Sequence, residues 1–365
     1  MKAGWLLLAP LFSPLFAENA AKFYFVDVGH GNAAFVTAPS GETMLLDAGP
    51  TRAADRILAF MDQNGIRKID YLVISHFEDD HMGAARRMAP RTEIVNFVDH
   101  GTSVTYGKDD AWWKRHRGPW FREGMSKADD KNFDEYREAR AKSRHLKVKA
   151  GDKIPVKGLD VDVVSAEGKV IAKPLVKGAT APAACATVDR RSEDDAEDGQ
   201  SVGVTLRFGK FRFIYLGDLT WNTANSLFCP ENKIGAVDAY LVTHHAQSMP
   251  SAMGDYYYGL SCCSAAEVHG LNPRVAFLSM GSLGHKAGTP AAMQVLREIH
   301  GLDLWQTEYI RDGGEKGFNG PEEYAANTGE RSEKVPFIQM TAMADGSFSV
   351  TNSRNGVTKK YPVRK

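Results

Sequence analysis

The feature that most constrains this 365-residue chain is a run of six residues, His76-Phe77-Glu78-Asp79-Asp80-His81, at the end of an apolar stretch. Residues 69–75 read as a buried strand, and a helix is expected around 84–88. Residues two apart leaving a strand project to one side. Asp80 and His81, at the start of a helix, can turn toward the same point, so four donors converge from six residues. Imidazole and carboxylate are the ligands of hydrolytic metals such as zinc and manganese. The same logic repeats along the chain. Apolar runs at 22–28, 43–46, 211–216, 238–243 and 274–279 end in Gly29-His30-Gly31-Asn32, Asp47-Ala48-Gly49, Gly217-Asp218, His244-His245 and Met280-Gly281. In layered α/β structures functional groups gather where strands end and loops begin.

Strands alternating with helices predict an α/β (α+β) fold. Thr51 caps a helix carrying Ile57, Leu58 and Met61, closed by Asn64-Gly65, and Gly209-Lys210 turns a hairpin. Residues 103–146 break the pattern. They are charged and helical, with Trp112, Trp113, Trp120 and Phe121 threaded among Lys114, Arg115, Arg117 and Arg122. This reads as an insertion, either a stacking and phosphate-binding surface or a solvated helix with one aromatic edge packed down. Residues 189–198 read as an acidic, exposed loop, and Asp345-Gly346 and Asn355-Gly356 predict hairpins over 335–362. With no repeat and no Pro-rich linker, residues 22–365 are expected to form one elaborated domain.

Residues 1–17 read as a signal peptide, with Lys2 before an apolar run and Ala17 at the cleavage point, so a secreted or periplasmic protein is expected. The run is too short to span a bilayer and no other stretch is suited to it, so no transmembrane channel is expected. Lys plus Arg equals Asp plus Glu at 45 each, which argues against coating nucleic acid by bulk charge; a polyanion must be met by a local patch. Cys185, Cys229, Cys262 and Cys263 allow three pairings, and none has the spacing of a metal clip.

The order of Asp47-Ala48-Gly49, His76-x-Glu78-x-Asp80-His81, Gly217-Asp218 and Thr243-His244-His245 resembles the metallo-β-lactamase superfamily. More narrowly, Phe25-Val26-Asp27-Val28-Gly29-His30-Gly31-Asn32, Ile74-Ser75-His76 and the His-His pair resemble the hydrolase domain of ComEC-type DNA-internalisation competence proteins and their stand-alone relatives. The resemblance runs from about residue 22 to 285, interrupted by the insertion. It implies a four-layer αββα sandwich holding two divalent metal ions, zinc or manganese, at one edge of the sheets. His76 would bind the first metal; Asp80, His81 and His244 the second; Asp218 would bridge both. Glu78 stands where most of the superfamily has a second His and the competence branch an Asp. His100, after the strand 94–98, is a candidate for the remaining ligand of the first metal. Three imidazoles, three carboxylates, two divalent ions and a bridging hydroxide sum to near zero charge, and Asp80 would orient that hydroxide. The competence branch has Gly-Gln-Gly-Asp where this chain has Gly29-His30-Gly31-Asn32, and Gly-Ser where it has Ala246-Gln247; both changes bear on the substrate.

His245, expected to point off the metal, and His285 and Lys286, in a Gly-rich loop, are candidates for donating a proton to a leaving group or binding a phosphate oxygen. Three functions follow. The first is a phosphoesterase, phosphodiesterase or nuclease-like, acting on a small-molecule or nucleic-acid phosphoester without an obligate protein partner. The second is a hydrolase of acyl bonds such as lactones or β-lactams. The third is a non-catalytic metal-binding module. A basic pocket wall favours the first, an apolar wall the second.

Overall fold

The alternation of apolar side chains along a strand decides which layer each side chain enters. The computed structural model describes residues 19–364 except 119–120, 193, 249–250, 252–257, 282–287, 312–317 and 330–331. The leader read at 1–17, Trp120, His285 and Lys286 lie outside the described residues. Strand β1 (Ala20–Val26) sends Phe23 and Phe25 into one apolar cluster and Tyr24 and Val26 into another. Strands β2 (Ala34–Thr37), β3 (Thr43–Leu46), β4 (Lys68–Val73), β5 (Glu93–Asp99) and β6 (Arg144–Lys147) extend the same sheet, antiparallel to β3 and parallel beyond it.

The second sheet contains β7 (Lys153–Ile154), β8 (Asp160–Ala166), β9 (Lys169–Val170), β10 (Gly203–Phe208), β11 (Phe211–Tyr215), β12 (Ala239–Leu241), β13 (Val275–Leu278), β14 (Asp303–Glu308) and β15 (Ala325–Asn327). From β11 to β15 it is parallel. Phe211, Phe213 and Tyr215 face the first sheet, whereas Ile214 and Leu216 face outward to helices. The chain then returns to the first sheet. Strands β16 (Phe337–Met343), β17 (Phe348–Asn352) and β18 (Thr358–Tyr361) join it beyond β1, with β16 antiparallel to β1.

Helices α1 (Ala54–Gln63), α2 (Asp79–Met82), α3 (Ala85–Met88) and α5 (Met125–Arg140) cover the first sheet, with α4 (Asp110–Arg117) beside α5. Helices α6 (Trp221–Asn225), α7 (Ala265–Leu271) and α8 (Pro290–Arg297) cover the second. Helix, sheet, sheet and helix therefore stack as the expected four-layer αββα sandwich. The parallel strands β3, β4, β11, β12 and β13 end at one edge, where their loops meet.

The 103–146 segment is more integral than its charge suggests. Phe133 and Tyr136, one turn apart on α5, are fully buried in the first sheet's outer core, because three-residue spacing puts both rings on one helix face. Trp112 and Trp113 on α4 are buried against Ala196, so these two rings form a packed edge rather than a stacking platform. Asp99, at the end of β5, fastens this unit. It accepts hydrogen bonds from Tyr136 Oη (2.7 Å), Arg140 Nη1 (2.8 Å), His145 Nε2 (2.8 Å) and the Gly101 amide (2.8 Å). Burial alone would raise its carboxyl, but His145 and Arg140 hold it below the usual range. One disulfide joins Cys185 to Cys229, and Cys262 and Cys263 are buried free thiols.

Replacing Asp99 by Ala is expected to destabilise the fold by about 3 kcal/mol, since the partly buried Arg140 loses its counter-charge and Tyr136 its acceptor. A depressed folded pKa means the contribution is present above the unfolded value near 4 and fades as pH falls through the folded value. Urea titrations of wild type and Asp99→Ala at pH 7 and pH 3 measure both, and a gap that does not shrink at pH 3 would refute the assignment.

Candidate metal centre

The centre is organised by a carboxylate that does not face it. Asp47 follows β3 in the left-handed region, φ 55°. It accepts from the Ser75 amide and hydroxyl (2.7 Å each), from His81 Nδ1 (2.5 Å) and from Tyr215 Oη. With Nδ1 donating to Asp47, His81 turns Nε2 inward. The His pair is fixed the same way. His244 Nδ1 donates to the Leu260 carbonyl (2.8 Å) and His245 Nδ1 to the Ser279 carbonyl (2.7 Å), which leaves each Nε2 for the centre. Aiming both rings requires three consecutive left-handed residues, His244, His245 and Ala246 (φ 46°, 50°, 58°), a strain of the kind held at functional sites. Gly217 brings Asp218 close: a Cβ there would lie 2.7 Å from the Ser75 Cβ.

Asp218 is the common neighbour. Its Oδ2 lies 3.3 Å from His81 Nε2, 3.5 Å from His245 Nε2 and 3.7 Å from His244 Nε2. Asp80 Oδ2 lies 3.1 Å from His30 Nε2, 3.5 Å from His245 Nε2 and 3.8 Å from His81 Nε2. His76 Nε2 lies 3.5 Å from Asp198 Oδ1. Among the described residues three donor groups result, each with its ligand atoms within 4.8 Å: His76, His81 and Asp218; His76, Glu78 and Asp198; His30, Asp80 and His245. His76 Nε2 and Asp218 Oδ1 are buried without a hydrogen-bond partner, an arrangement that suits a bound cation.

His76, Glu78, Asp80, His81, Asp218 and the His pair thus come together, and two expectations need correction. His100 does not join the cluster: its Nε2 pairs with Glu197 Oε2 at 3.2 Å, a carboxylate also held by the Phe77 and Val104 amides. A histidine after a strand looks alike whether it faces a metal or a buried acid. His245 does not point away; its Nε2 lies closer to Asp218 than that of His244. Two residues were missed. Asp198, in the loop read as exposed, is buried at the start of the short turn that precedes β10, and no local sequence signal separates it from a solvated acid. His30, read as bearing on substrate, sits against His245 with ring centroids 4.5 Å apart.

The charges balance internally. Burial works against the ionised forms of Asp80 and Asp218, but His81 and His245 hold both well below the usual carboxylate range. Burial likewise opposes the His81 cation, and Asp218, Asp47 and Asp80 hold its pKa well above the ordinary imidazole value. At the other end burial, then Glu78 and Asp194, push Asp198 well above the usual carboxylate range. Arg117 of α4 pairs with Glu78 through Oε1.

Residues 26–172 match the family model of the metallo-beta-lactamase superfamily. Endoribonuclease ysh1 of Aspergillus fumigatus is 30% identical over 111 residues, 29% of this chain and 13% of the relative. Endoribonuclease YSH1 of Saccharomyces cerevisiae is 31% identical over 96 residues, 24% of this chain and 12% of the relative. The match therefore spans well under two thirds of either relative. Among solved structures, CmlA, a diiron beta-hydroxylase from Streptomyces venezuelae, aligns with a TM-score of 0.41 at 15% identity, covering 74% of this chain and 46% of that one.

Metal analysis of protein purified with divalent metals separates ligands from supporting residues. Asp218→Ala and His76→Ala are expected to lose at least half of the bound metal, whereas His100→Ala keeps its metal and loses about 2 kcal/mol of stability from the unpaired Glu197. Metal loss in His100→Ala would restore it to the ligand set.

Proposed function

We propose that this chain is a metal-dependent hydrolase of phosphoesters, a phosphodiesterase or nuclease-like enzyme. The observation that carries the reading is the wall of the cavity at the centre. A cavity of about 250 Å³ is lined by His30, Pro50, Arg52, Glu78, Asp79 and Asp80. Only Pro50 is apolar, which disfavours an apolar acyl substrate, and of the three carboxylates Glu78 and Asp80 belong to the metal-donor groups, which leaves Arg52 to meet an anionic ester. Arg52 is exposed and has no hydrogen-bond or ion-pair partner among the described residues, although carboxylates share the cavity. Gly29 leaves its guanidinium room, since a Cβ there would lie 3.3 Å from Arg52 Nη2. The cavity admits one linkage of a larger substrate, with Arg52 placed to meet a phosphate oxygen.

Two divalent ions, once bound, would supply an activated water and neutralise developing charge. His76, Glu78 and Asp198 would hold one and His30, Asp80 and His245 the other, with His81, Asp218 and His244 completing the set. The chain's own groups orient these donors: Asp47 fixes His81, and the Leu260 and Ser279 carbonyls fix the His pair. Asp80, held ionised, is suited to accepting a hydrogen bond from the attacking water and so orienting it. His285 and Lys286 are proposed for the leaving-group side.

The endoribonuclease names of the matched relatives support a nucleic-acid phosphodiester as substrate, and the strand-end motifs support kinship with ComEC-type hydrolase domains. We also propose a secreted or periplasmic location, which the Cys185–Cys229 disulfide favours because such bonds persist in oxidising compartments. Among the described residues no helix is long and apolar enough to cross a membrane.

With bis-(p-nitrophenyl) phosphate, Arg52→Gln is expected to raise KM about tenfold, the worth of a solvent-exposed charge-assisted hydrogen bond, with metal content unchanged. Cleavage of a lactone or β-lactam in preference to the phosphodiester, indifferent to Arg52, would overturn the phosphoester reading.

A further inference from the structure

The three donor groups differ in chemistry. At one end stand one imidazole and two carboxylates, His76, Glu78 and Asp198. At the other stand two imidazoles and one carboxylate, His30, Asp80 and His245, with the His81 Nε2 3.2 Å from that of His245. Resting on the reading of this cluster as a dinuclear metal centre, we propose that its two positions select different ions: a hard, oxygen-preferring ion such as manganese at His76, Glu78 and Asp198, and zinc at His30, Asp80 and His245.

The argument is one of donor softness. Imidazole suits zinc, whereas carboxylate suits magnesium and manganese. Zinc binds most sites more tightly than manganese, so the selectivity lies in the difference between positions: the preference for zinc is smaller where carboxylates dominate. Two residues that sequence reasoning missed create the asymmetry. Asp198 adds an oxygen at one end, and His30 adds a nitrogen at the other.

His30 is built into place. Gly31 has φ 123°, and a Cβ there would lie 2.3 Å from the Asp80 carbonyl oxygen. The Asn32 amide donates to that same oxygen at 3.3 Å, so the Gly29 to Asn32 turn is docked on the backbone of Asp80. Gly281 closes over the other side, where a Cβ would lie 3.1 Å from the His30 Cβ. The His30 side chain is 14% exposed and its Nε2 is the donor nearest Asp80 Oδ2.

The carboxylate end is equally fixed. Helix α4 holds Glu78 through Arg117, and because that pair uses Oε1 the second oxygen is left for a metal. Trp112 and Trp113 pack on Ala196, and His116 Nε2 reaches Asp195 Oδ1 at 2.6 Å, so the same helix secures the loop that carries Asp198.

The test uses the full chain, stripped of metal, then given one equivalent of zinc with excess manganese and desalted. The expected product holds about one zinc and one manganese per chain, and its electron paramagnetic resonance spectrum is the six-line signal of isolated manganese. Random occupancy gives the same average content, but about a quarter of the molecules then hold two manganese ions about 3.5 to 4 Å apart, whose coupled spectrum overturns the proposal. Asp198→His is expected to raise zinc to about two per chain under a mixed load, and His30→Asn to bring in the coupled manganese signal. An unchanged wild-type pattern in both variants would remove these residues from the selectivity. Should either variant not fold, the wild-type spectrum alone decides. Retention of no metal at all sinks the metal-centre reading itself, an outcome distinct from a coupled pair.

Discussion

The centre depends on the burial of one carboxylate, Asp47. A buried charge is tolerable only when its lone pairs are satisfied. Asp47 meets that condition by drawing donors from the end of β4, from helix α2 and, through Tyr215, from the opposite sheet. The two sheets are thereby registered to each other at the edge where their loops meet. Asn32 adds a further link, donating to Tyr215 Oη at 3.1 Å, so the turn after β1 belongs to the same network. The position of His81, and through it those of Asp218 and His245, follows from this arrangement rather than from the six-residue motif alone.

The second organising fact is an excess of buried acid beside His76. Glu78 and Asp194 lie close to Asp198, and burial pushes Asp194 up to about 6 and Asp198 well above the usual carboxylate range. Asp129, on α5, is pushed up to about 7 by burial. Carboxylates packed this closely keep protons unless cations replace them. Binding a divalent ion therefore exchanges protons for metal, and the pocket is suited to that exchange because the neighbouring side chains Arg117 and His100 engage other carboxylates, Glu78 and Glu197.

Much of this was legible in the sequence, for physical reasons that also mark the limit. His76, His81 and Asp218 could be read because strand termini and two-residue spacing are local properties. The α/β class followed from strands alternating with helices, while the four-layer sandwich came from the family resemblance, and alternation such as Phe23 and Phe25 against Tyr24 and Val26 is what lets each strand feed two layers. Asp198 could not be read. The loop that carries it is packed by a contact between distant segments, Trp112 and Trp113 against Ala196, and an acidic loop viewed alone resembles a solvated one. His100 failed for the converse reason, because its partner Glu197 lies 97 positions away. The role of His30 depended on the left-handed glycines that dock its turn, and the choice of Cys185 with Cys229 depended on the fold.

The pairing of β1 with β16 bears on how the chain reaches this state. Ala20 to Val26 lie opposite Met343 to Phe337, so β1 gains its second neighbour only after β2 to β15 have been made. Contacts so distant in sequence close slowly, because a large loop entropy is lost before they form. A nascent chain of this design holds an apolar strand with one open edge until β16 is made. The sheet is sealed late, and the metal-binding edge, fixed by β3, β4 and β11, can be assembled before it.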